Sequence, residues 1–293
     1  MRPLAAAINS EEYLHKISPI LFPSGFRQRL IMVLQVYSDL GVNRDTIAMC
    51  GYLCNVEKWE SFNREWESEM VRTGLKDGPG YFHMTDFNAK DGVYKPWSQE
   101  KRDQCFNQLL NIIDDLAAES VIALGSAVGV VRSHYESLTE DEKWRLGGSQ
   151  FGFCSSVLIG QTARALMEHG IFEPVRYSFE LGDECSGLVV NEINGMVSRG
   201  GEMGQYVLAA ELEDKRRFPG LQAADILAFE VCRYLPIHFG VDDRYPRHVI
   251  TRLVGQSPIR CVKRWFDAPL LRKFLNGMQT REIQDGAAEL FGD

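Results

Sequence analysis

The chain has 293 residues, of which 45% are hydrophobic and 25% charged, as in an ordinary globular protein with room for a large core. Its net charge of -8 argues against broad, nonspecific nucleic-acid binding. No segment approaches the roughly 20 apolar residues that span a bilayer, and the apolar part of the N-terminus is too short for a secretory signal. These features predict a cytoplasmic protein with no membrane partner.

The seven cysteines are odd in number and contain no pair of Cys-x-x-Cys motifs. Zinc-finger and disulfide-framework readings are therefore weak. Most of the cysteines fall in apolar runs, which predicts small core residues at Cys50, Cys54, Cys105, Cys154 and Cys232.

In chain order, the residue pattern predicts an arm over residues 1–28, followed by alternating strands and helices. Strands are predicted over Leu30–Tyr37, Thr46–Cys54, Tyr81–Met84, Ser120–Val131, Val175–Leu181 and Tyr206–Leu212. Helices are predicted over Val56–Arg72, from Ser98 as the N-cap, from the capping box Thr139-x-x-Glu142 to about His169 with an interruption at Gly147-Gly148, over Ser186–Ser198, and around Asp225 with an end at Pro236. A last packing helix is predicted to include Trp265, Phe266, Leu270, Leu271 and Phe274. The simplest account is one α/β domain over residues 29–293, ending in a basic helical extension.

Asp225 is the only ionisable side chain in an apolar helical run, Leu221–Phe229. A buried carboxylate loses hydration worth several kcal/mol unless a cation or a set of donors replaces it. Asp39 and Asp183 continue the alternation of the first strand and of the strand from Val175. If these two strands are neighbours, their acids converge with Asp225. Oxygen-only ligation favours Mg²⁺ or Mn²⁺. The alternative is that Asp39 begins a turn, Asp183 caps a helix and Asp225 pairs with an Arg or Lys.

His83 lies in an apolar run and could bind phosphate, protonate a leaving group or ligate a metal, although a lone histidine there is more often a core residue. Asp86 and Glu184 are weaker candidate ligands. A third hypothesis is a zinc-dependent hydrolase that uses His83, Asp86 and a second histidine.

From Lys215 to Lys273 the chain has twelve Lys and Arg against five Asp and Glu. Such a segment beside an acidic cluster suits a metal-dependent phosphoesterase, because phosphates must be drawn towards carboxylates that repel them. Lys215, Arg216 and Arg217 could meet phosphates. A solvated basic face without a ligand is the alternative.

The order of these pieces resembles the bacterial family called domain of unknown function 3800. The matching segments are Tyr37-Ser38-Asp39-Leu40-Gly41, Phe82-His83, Asp183 and Pro219–Ala228, within which Leu-Gln-x-Ala-Asp is the most specific. The resemblance covers about Leu30 to Leu235 and implies a ribonuclease H-like mixed β-sheet flanked by helices in a single domain. It also implies metal-binding acids at Asp39, Asp183 and Asp225, with His83 nearby as a fourth catalytic residue. Leu40 stands where the family usually has Glu. This difference predicts that the site has fewer carboxylates.

The resemblance implies a Mg²⁺- or Mn²⁺-dependent nuclease acting on nucleic acid, of a kind often linked to mobile elements or phage defence. The alternative is a catalytically degenerate member that binds nucleic acid or a protein. Exposed apolar residues in the C-terminal segment would allow a homodimer.

Overall fold

The computed structural model describes residues 34–76, 80–118, 122–182, 186–199 and 206–277. The arm predicted over residues 1–28 lies outside the described residues. All the described residues belong to one compact unit within residues 33–293.

Six strands form one mixed sheet in the order β5-β4-β1-β2-β3-β6. The strands are β1 (Leu34–Val42), β2 (Thr46–Asn55), β3 (Ala123–Val131), β4 (Val175–Glu180), β5 (Val207–Glu213) and β6 (Arg260–Phe266). The first three are antiparallel neighbours, whereas β4 runs parallel to β1, β5 to β4 and β6 to β3. The predicted α/β class with a mixed sheet flanked by helices is confirmed.

The helices alternate with these strands along the chain. They are α1 (Val56–Thr73), α2 (Met84–Ala89), α3 (Gln99–Asp114), α4 (Arg132–Glu136), α5 (Glu140–Arg145), α6 (Gln150–Glu168), α7 (Ser186–Arg199), α8 (Pro219–His238) and α9 (His248–Thr251), with short 3₁₀ turns at Gly92–Tyr94 and Asp115–Ala117 and a π-helical turn at Arg252–Gln256. Residues 268–277 are helical as well. The caps predicted at Ser98 and at Thr139-x-x-Glu142 are both present.

Helices cover both faces of the sheet. On one face, α1, α3 and α8 enclose the main core, which contains alternate residues of β1 and β2 such as Tyr37 and Tyr52. On the other, α6 packs on β2 and β3, where Gln161 Nε2 donates to Ser126 Oγ at 2.6 Å. Because both faces are covered, a polar side chain on a central strand is buried whichever way it points.

The buried helix α8 approaches the sheet closely at two glycines. A Cβ at Gly220 would collide with the ring of Tyr37, and a Cβ at Gly41 would collide with the carbonyl of Ala228. Both contacts join α8 to β1, the strand that carries Asp39. The two glycines therefore set the distance between the elements that bear the predicted acids.

Pro236 does not end α8 as predicted, because the helix continues to His238. Proline leaves the carbonyl four residues earlier without its helical donor. That carbonyl belongs to Cys232, and it accepts hydrogen bonds from Asn43 Nδ2 at 2.7 Å and from Thr46 Oγ1 at 3.1 Å. The β1–β2 turn therefore replaces the missing bond, and the helix runs on.

Three other predictions need correction. The first strand extends to Val42, so Asp39 lies within it rather than beyond its end. Residues 81–83 are not a strand, and Met84 instead begins α2. Trp265 and Phe266 belong to the strand β6, with helix only from residue 268. Short apolar runs do not by themselves distinguish strand from helix.

The predicted core cysteines are all buried. In the part of the chain that the structure describes, no helix has the length and apolar character required to cross a membrane.

Candidate functional site: a lysine enclosed by three carboxylates

The ammonium of Lys215 lies among three carboxylates. Its Nζ is 2.6 Å from Glu180 Oε2, 3.1 Å from Asp39 Oδ2 and 3.6 Å from Asp225 Oδ2. The lysine side chain is only 4% exposed, so these acids replace most of its hydration. We call these four residues the acidic cluster.

Two neighbouring parallel strands supply the first two acids. On β1, Tyr37 pairs with Ser178 of β4, and Ser38 pairs with Phe179. Paired residues of adjacent strands project on the same face, so the face of Tyr37 and Asp39 continues into Ser178 and Glu180. The cluster thus forms where the parallel pair ends, a usual position for a binding site in α/β sheets.

The third acid comes from α8 and also holds the segment that contains His83. Asp225 Oδ2 accepts a hydrogen bond from the backbone N–H of Met84 at 2.8 Å. His83 is half-exposed, and its Nδ1 is 3.0 Å from Asp86 Oδ2. An imidazole paired with a carboxylate is a common arrangement for proton transfer, because the acid fixes the ring's orientation.

Gln222 fixes the arrangement of the cluster from within α8. Its Oε1 accepts hydrogen bonds from Trp66 Nε1 at 2.8 Å and from the backbone N–H of Phe82 at 2.9 Å. Its Nε2 donates to the carbonyl of Lys215 at 2.9 Å. One buried amide therefore positions helix α1, the segment before His83 and the lysine itself.

The electrostatics reflect an excess of negative charge. Burial raises the pKa of Asp39 to about 6, with the charge of Asp225 adding to the effect and Lys215 opposing it. Burial also raises the pKa of Glu180, and the charge of Asp39 adds to that. Burial alone would lower the pKa of Lys215, but the charges of Asp39, Asp225 and Glu180 outweigh it and raise that pKa. Lys215 is therefore an ammonium ion at neutral pH, and it offsets only one of three acids.

The donors of the acidic cluster fit a hard divalent cation in chemical terms. They are carboxylate oxygens, the ligands that Mg²⁺ and Mn²⁺ prefer. Asp39 Oδ1 is buried and accepts no hydrogen bond within the described residues, so one oxygen has no donor or cation to satisfy it. Lys215 Nζ occupies the position between the acids. Consistent with this, no group of three His, Cys, Asp or Glu side chains in the described ranges is placed to hold a metal ion.

The predicted site residues are therefore only partly assembled in the described structure. It brings Asp39 and Asp225 together and binds the backbone N–H of Met84, the residue after His83, to Asp225, whereas Asp183 and Glu184 lie outside the described residues. Lys215 was considered as a phosphate ligand on a turn, but it is buried among the acids. Glu180 was missed, because the pairing of its strand with the Asp39 strand is seen only in the structure.

The sequence predicts fewer carboxylates at the site because of Leu40, but this side chain does not share a face with Asp39. Leu40 follows Asp39 along β1, so it projects on the opposite face of the sheet. Leucine there takes no carboxylate away from the face that carries Asp39. Glu180 supplies a third acid on that face.

Comparison with known proteins adds no assignment: no family model matches the chain, and no curated protein matches it.

Proposed function

We propose that this chain is a phosphodiester hydrolase, a nuclease that acts through the acidic cluster. The observation that carries the proposal is the convergence of Asp39, Glu180 and Asp225 on Lys215 at the end of two parallel strands. Buried acids held together at a strand end are costly to stability, so a structural role alone accounts for them poorly.

The residues of the cluster suit distinct roles. Glu180 is the most exposed of the three acids, and its raised pKa suits it to take a proton from an attacking water. Lys215 can meet a phosphate oxygen only after its ammonium leaves the three acids that enclose it. His83, oriented by Asp86, can give a proton to the leaving oxygen.

Asp39, Glu180 and Asp225 are also the residues that would hold Mg²⁺ or Mn²⁺. When bound, such an ion activates water and stabilises the leaving oxygen of a phosphodiester. The unsatisfied Oδ1 of Asp39 supports this part of the proposal. For the cation to enter, Lys215 must move from the position between the acids.

The proposal includes the ribonuclease H-like fold and the resemblance to the domain of unknown function 3800 family. A mixed sheet with helices on both faces, and an acid on its central strand β1, support it. Nucleic acid as the partner, a cytoplasmic location and a link to phage defence remain parts of the same proposal.

The test measures Mn²⁺ binding by calorimetry and cleavage of labelled single-stranded and duplex RNA and DNA. We expect Asp225→Asn to abolish Mn²⁺ binding and to reduce cleavage at least about 100-fold, a typical loss when one charged catalytic group is removed. Asparagine keeps an oxygen that accepts from Met84 N–H, so the variant should fold.

Glu69→Gln is the matched control, because Glu69 is another buried acid, paired with Arg72 on α1 rather than with Lys215. It should bind Mn²⁺ and cleave like the wild type. Full cleavage by a folded Asp225→Asn protein would overturn the proposal.

A catalytically degenerate protein that binds nucleic acid is the second candidate. Lys215 favours it, since an ammonium already occupies the place between the acids. Binding of nucleic acid by the wild type without metal and without turnover would select this candidate over the first.

A further inference from the structure

A pocket lies further along α8. It is a cavity of about 140 Å³ between the C-terminal half of α8, the loop that follows and α9. This volume is about ten times the space that one water molecule needs. Three arginines, Arg233, Arg244 and Arg247, line it together with Glu230, Tyr234 and Tyr245. We call it the arginine pocket.

Glu230 is the buried centre of the arginine pocket, with its side chain only 1% exposed. Its Oε1 accepts a hydrogen bond from Arg247 Nη1 at 2.7 Å. Its Oε2 is buried and accepts none from the described residues. Burial raises the pKa of Glu230, although Arg247 and Arg233 oppose the effect. Glu230 Oε2 is therefore an acceptor without a donor among the described residues, and a ligand reaches it only when the side chains that cover it move.

The donor that best suits Glu230 Oε2 is a neutral N–H group. The surrounding guanidinium groups repel a metal ion, whereas an amino group carries no net charge to be repelled. The arginines in turn have spare donors, since each guanidinium has five N–H groups. Arg233 gives one to Asn88 Oδ1, and Arg244 binds Asp242 through Nε and Nη2. Burial lowers the pKa of Arg233, and the charge of Arg247 adds to this, so an anion would relieve the crowding of charge.

Tyr245 supplies an aromatic ring to the arginine pocket. It is 94% exposed and lines the pocket, so its ring is free to stack on a flat ligand. An amino-bearing flat ring attached to an anion is the chemistry of a nucleotide, and aromatic rings stack on unpaired bases.

The arginine pocket is adjacent to the acidic cluster through α2. That helix begins at Met84, whose N–H binds Asp225, and its Asn88 accepts the hydrogen bond from Arg233. Along α8, Arg233 follows Asp225 by eight residues, about 12 Å of helix. A strand at the acidic cluster can therefore reach the pocket within a few nucleotides.

We propose that the arginine pocket binds one unpaired nucleotide of a strand, with an amino-bearing base on Glu230 Oε2, its ring on Tyr245 and its phosphate on Arg233 and Arg244. This deepens the proposed nuclease function, which it takes as its basis. The pocket selects bases with an exocyclic amino group over those with a carbonyl at that position.

The test is metal-free calorimetry with CMP and UMP, which differ in offering an amino group or a carbonyl at the same ring position. The wild type should bind CMP about tenfold more tightly than UMP, the worth of one hydrogen bond to a charged acceptor. Glu230→Gln should abolish or reverse that preference, because its amide can donate to a carbonyl. Tyr245→Ala, a change at an exposed position, should weaken binding of both nucleotides.

Arg244→Ala should weaken CMP binding about tenfold, as expected for loss of a charged phosphate contact. Arg164→Ala is its control: Arg164 is 71% exposed and pairs with Glu168 four residues later, as Arg244, 64% exposed, pairs with Asp242. Arg164→Ala should bind CMP like the wild type.

Equal affinity for CMP and UMP, orthophosphate binding as tight as CMP, or equal losses in Arg244→Ala and Arg164→Ala would each overturn the proposal. Asp225→Asn should bind CMP normally. Loss of cleavage in that variant with no base preference in the wild type would refute the pocket alone, whereas a base preference without any cleavage would refute the nuclease alone.

Discussion

The acidic cluster and the arginine pocket are near mirror images in charge on the same helix. In the first, three acids surround one lysine; in the second, three arginines and one glutamate line the same pocket, and Arg247 pairs with the glutamate. In each, the minority charge is almost fully buried, and one carboxylate oxygen remains unsatisfied. The two sites differ in net charge, which is negative at the acidic cluster and positive at the arginine pocket. A strand of nucleic acid with a cation could complete both.

Replacing the enclosed lysine should have the largest effect. Lys215→Met leaves three carboxylates near each other without a cation, and removing one partner of a buried pair costs about 3–5 kcal/mol. Urea denaturation at pH 8 should show this loss, and added Mn²⁺ should restore part of it. An unchanged stability would mean that the cluster is hydrated and that its likeness to the pocket is superficial.

Removing the amide that organises the cluster should cost somewhat less. Gln222→Leu leaves the buried donors of Trp66 and Phe82 without an acceptor, each worth about 1–3 kcal/mol. We expect a loss of about 2–4 kcal/mol by urea denaturation, together with reduced cleavage, since Lys215 also loses a contact. Gln161→Leu is a comparable change on the opposite face of the sheet and should spare cleavage.

The pH dependence of the acidic cluster follows from Asp39. Its pKa of about 6 in the fold, against 3.8 as the ordinary value, means that the unfolded chain gives up this proton first as pH rises. Stability from Asp39 is complete below about pH 4 and is lost as pH rises to about 6. A tenfold change in proton affinity is worth about 1.4 kcal/mol, so the loss is at most about 3 kcal/mol. Mn²⁺ binding should change in the opposite direction and strengthen through the same range.

Asp39→Asn should reduce the pH dependence of stability between pH 4 and 6, as measured by urea denaturation at several pH values, and leave the part that comes from Glu180, whose pKa burial also raises. A wild-type slope that persists in this variant would assign the titration to another acid.

The smallest effect is expected at the arginine pocket. Arg247→Met also removes the partner of a buried charge, Glu230, but Arg247 is 39% exposed and water can replace part of its contact. We expect a loss of about 1 kcal/mol by urea denaturation. A loss of stability as large as that in Lys215→Met would show that the arginine pocket excludes water as fully as the acidic cluster does.

The sequence was sufficient for most of the fold, because alternation and caps are local. Helix α1 and strand β2 were predicted to within about a residue, and Ser98 caps α3 as expected. Pro236 could not be judged locally, since the groups that satisfy the freed carbonyl come from the β1–β2 turn. The strand β6 was missed because it pairs with β3, far away along the chain.

The site was predictable only where burial shows in the sequence. Asp225 stands out as an acid in an apolar helix, whereas Glu180 belongs to a strand whose alternate polar residues look like a solvent-facing side. Only the register between β1 and β4 shows that this side is the one shared with Asp39. Lys215 looked like part of a basic turn for the same reason, because its three partners come from distant segments.

The contacts of Gln222 and Lys215 also bear on how the protein is made. Gln222 joins segments 140 and 156 residues earlier in the chain, and Lys215 binds Asp39 across 176 residues. Contacts of such long range form late, after the chain entropy of closing large loops has been overcome. During synthesis, Asp39 and His83 emerge well before the lysine and the helix that organise them. The newly made chain therefore has no assembled site until α8 has left the ribosome and docked on the sheet.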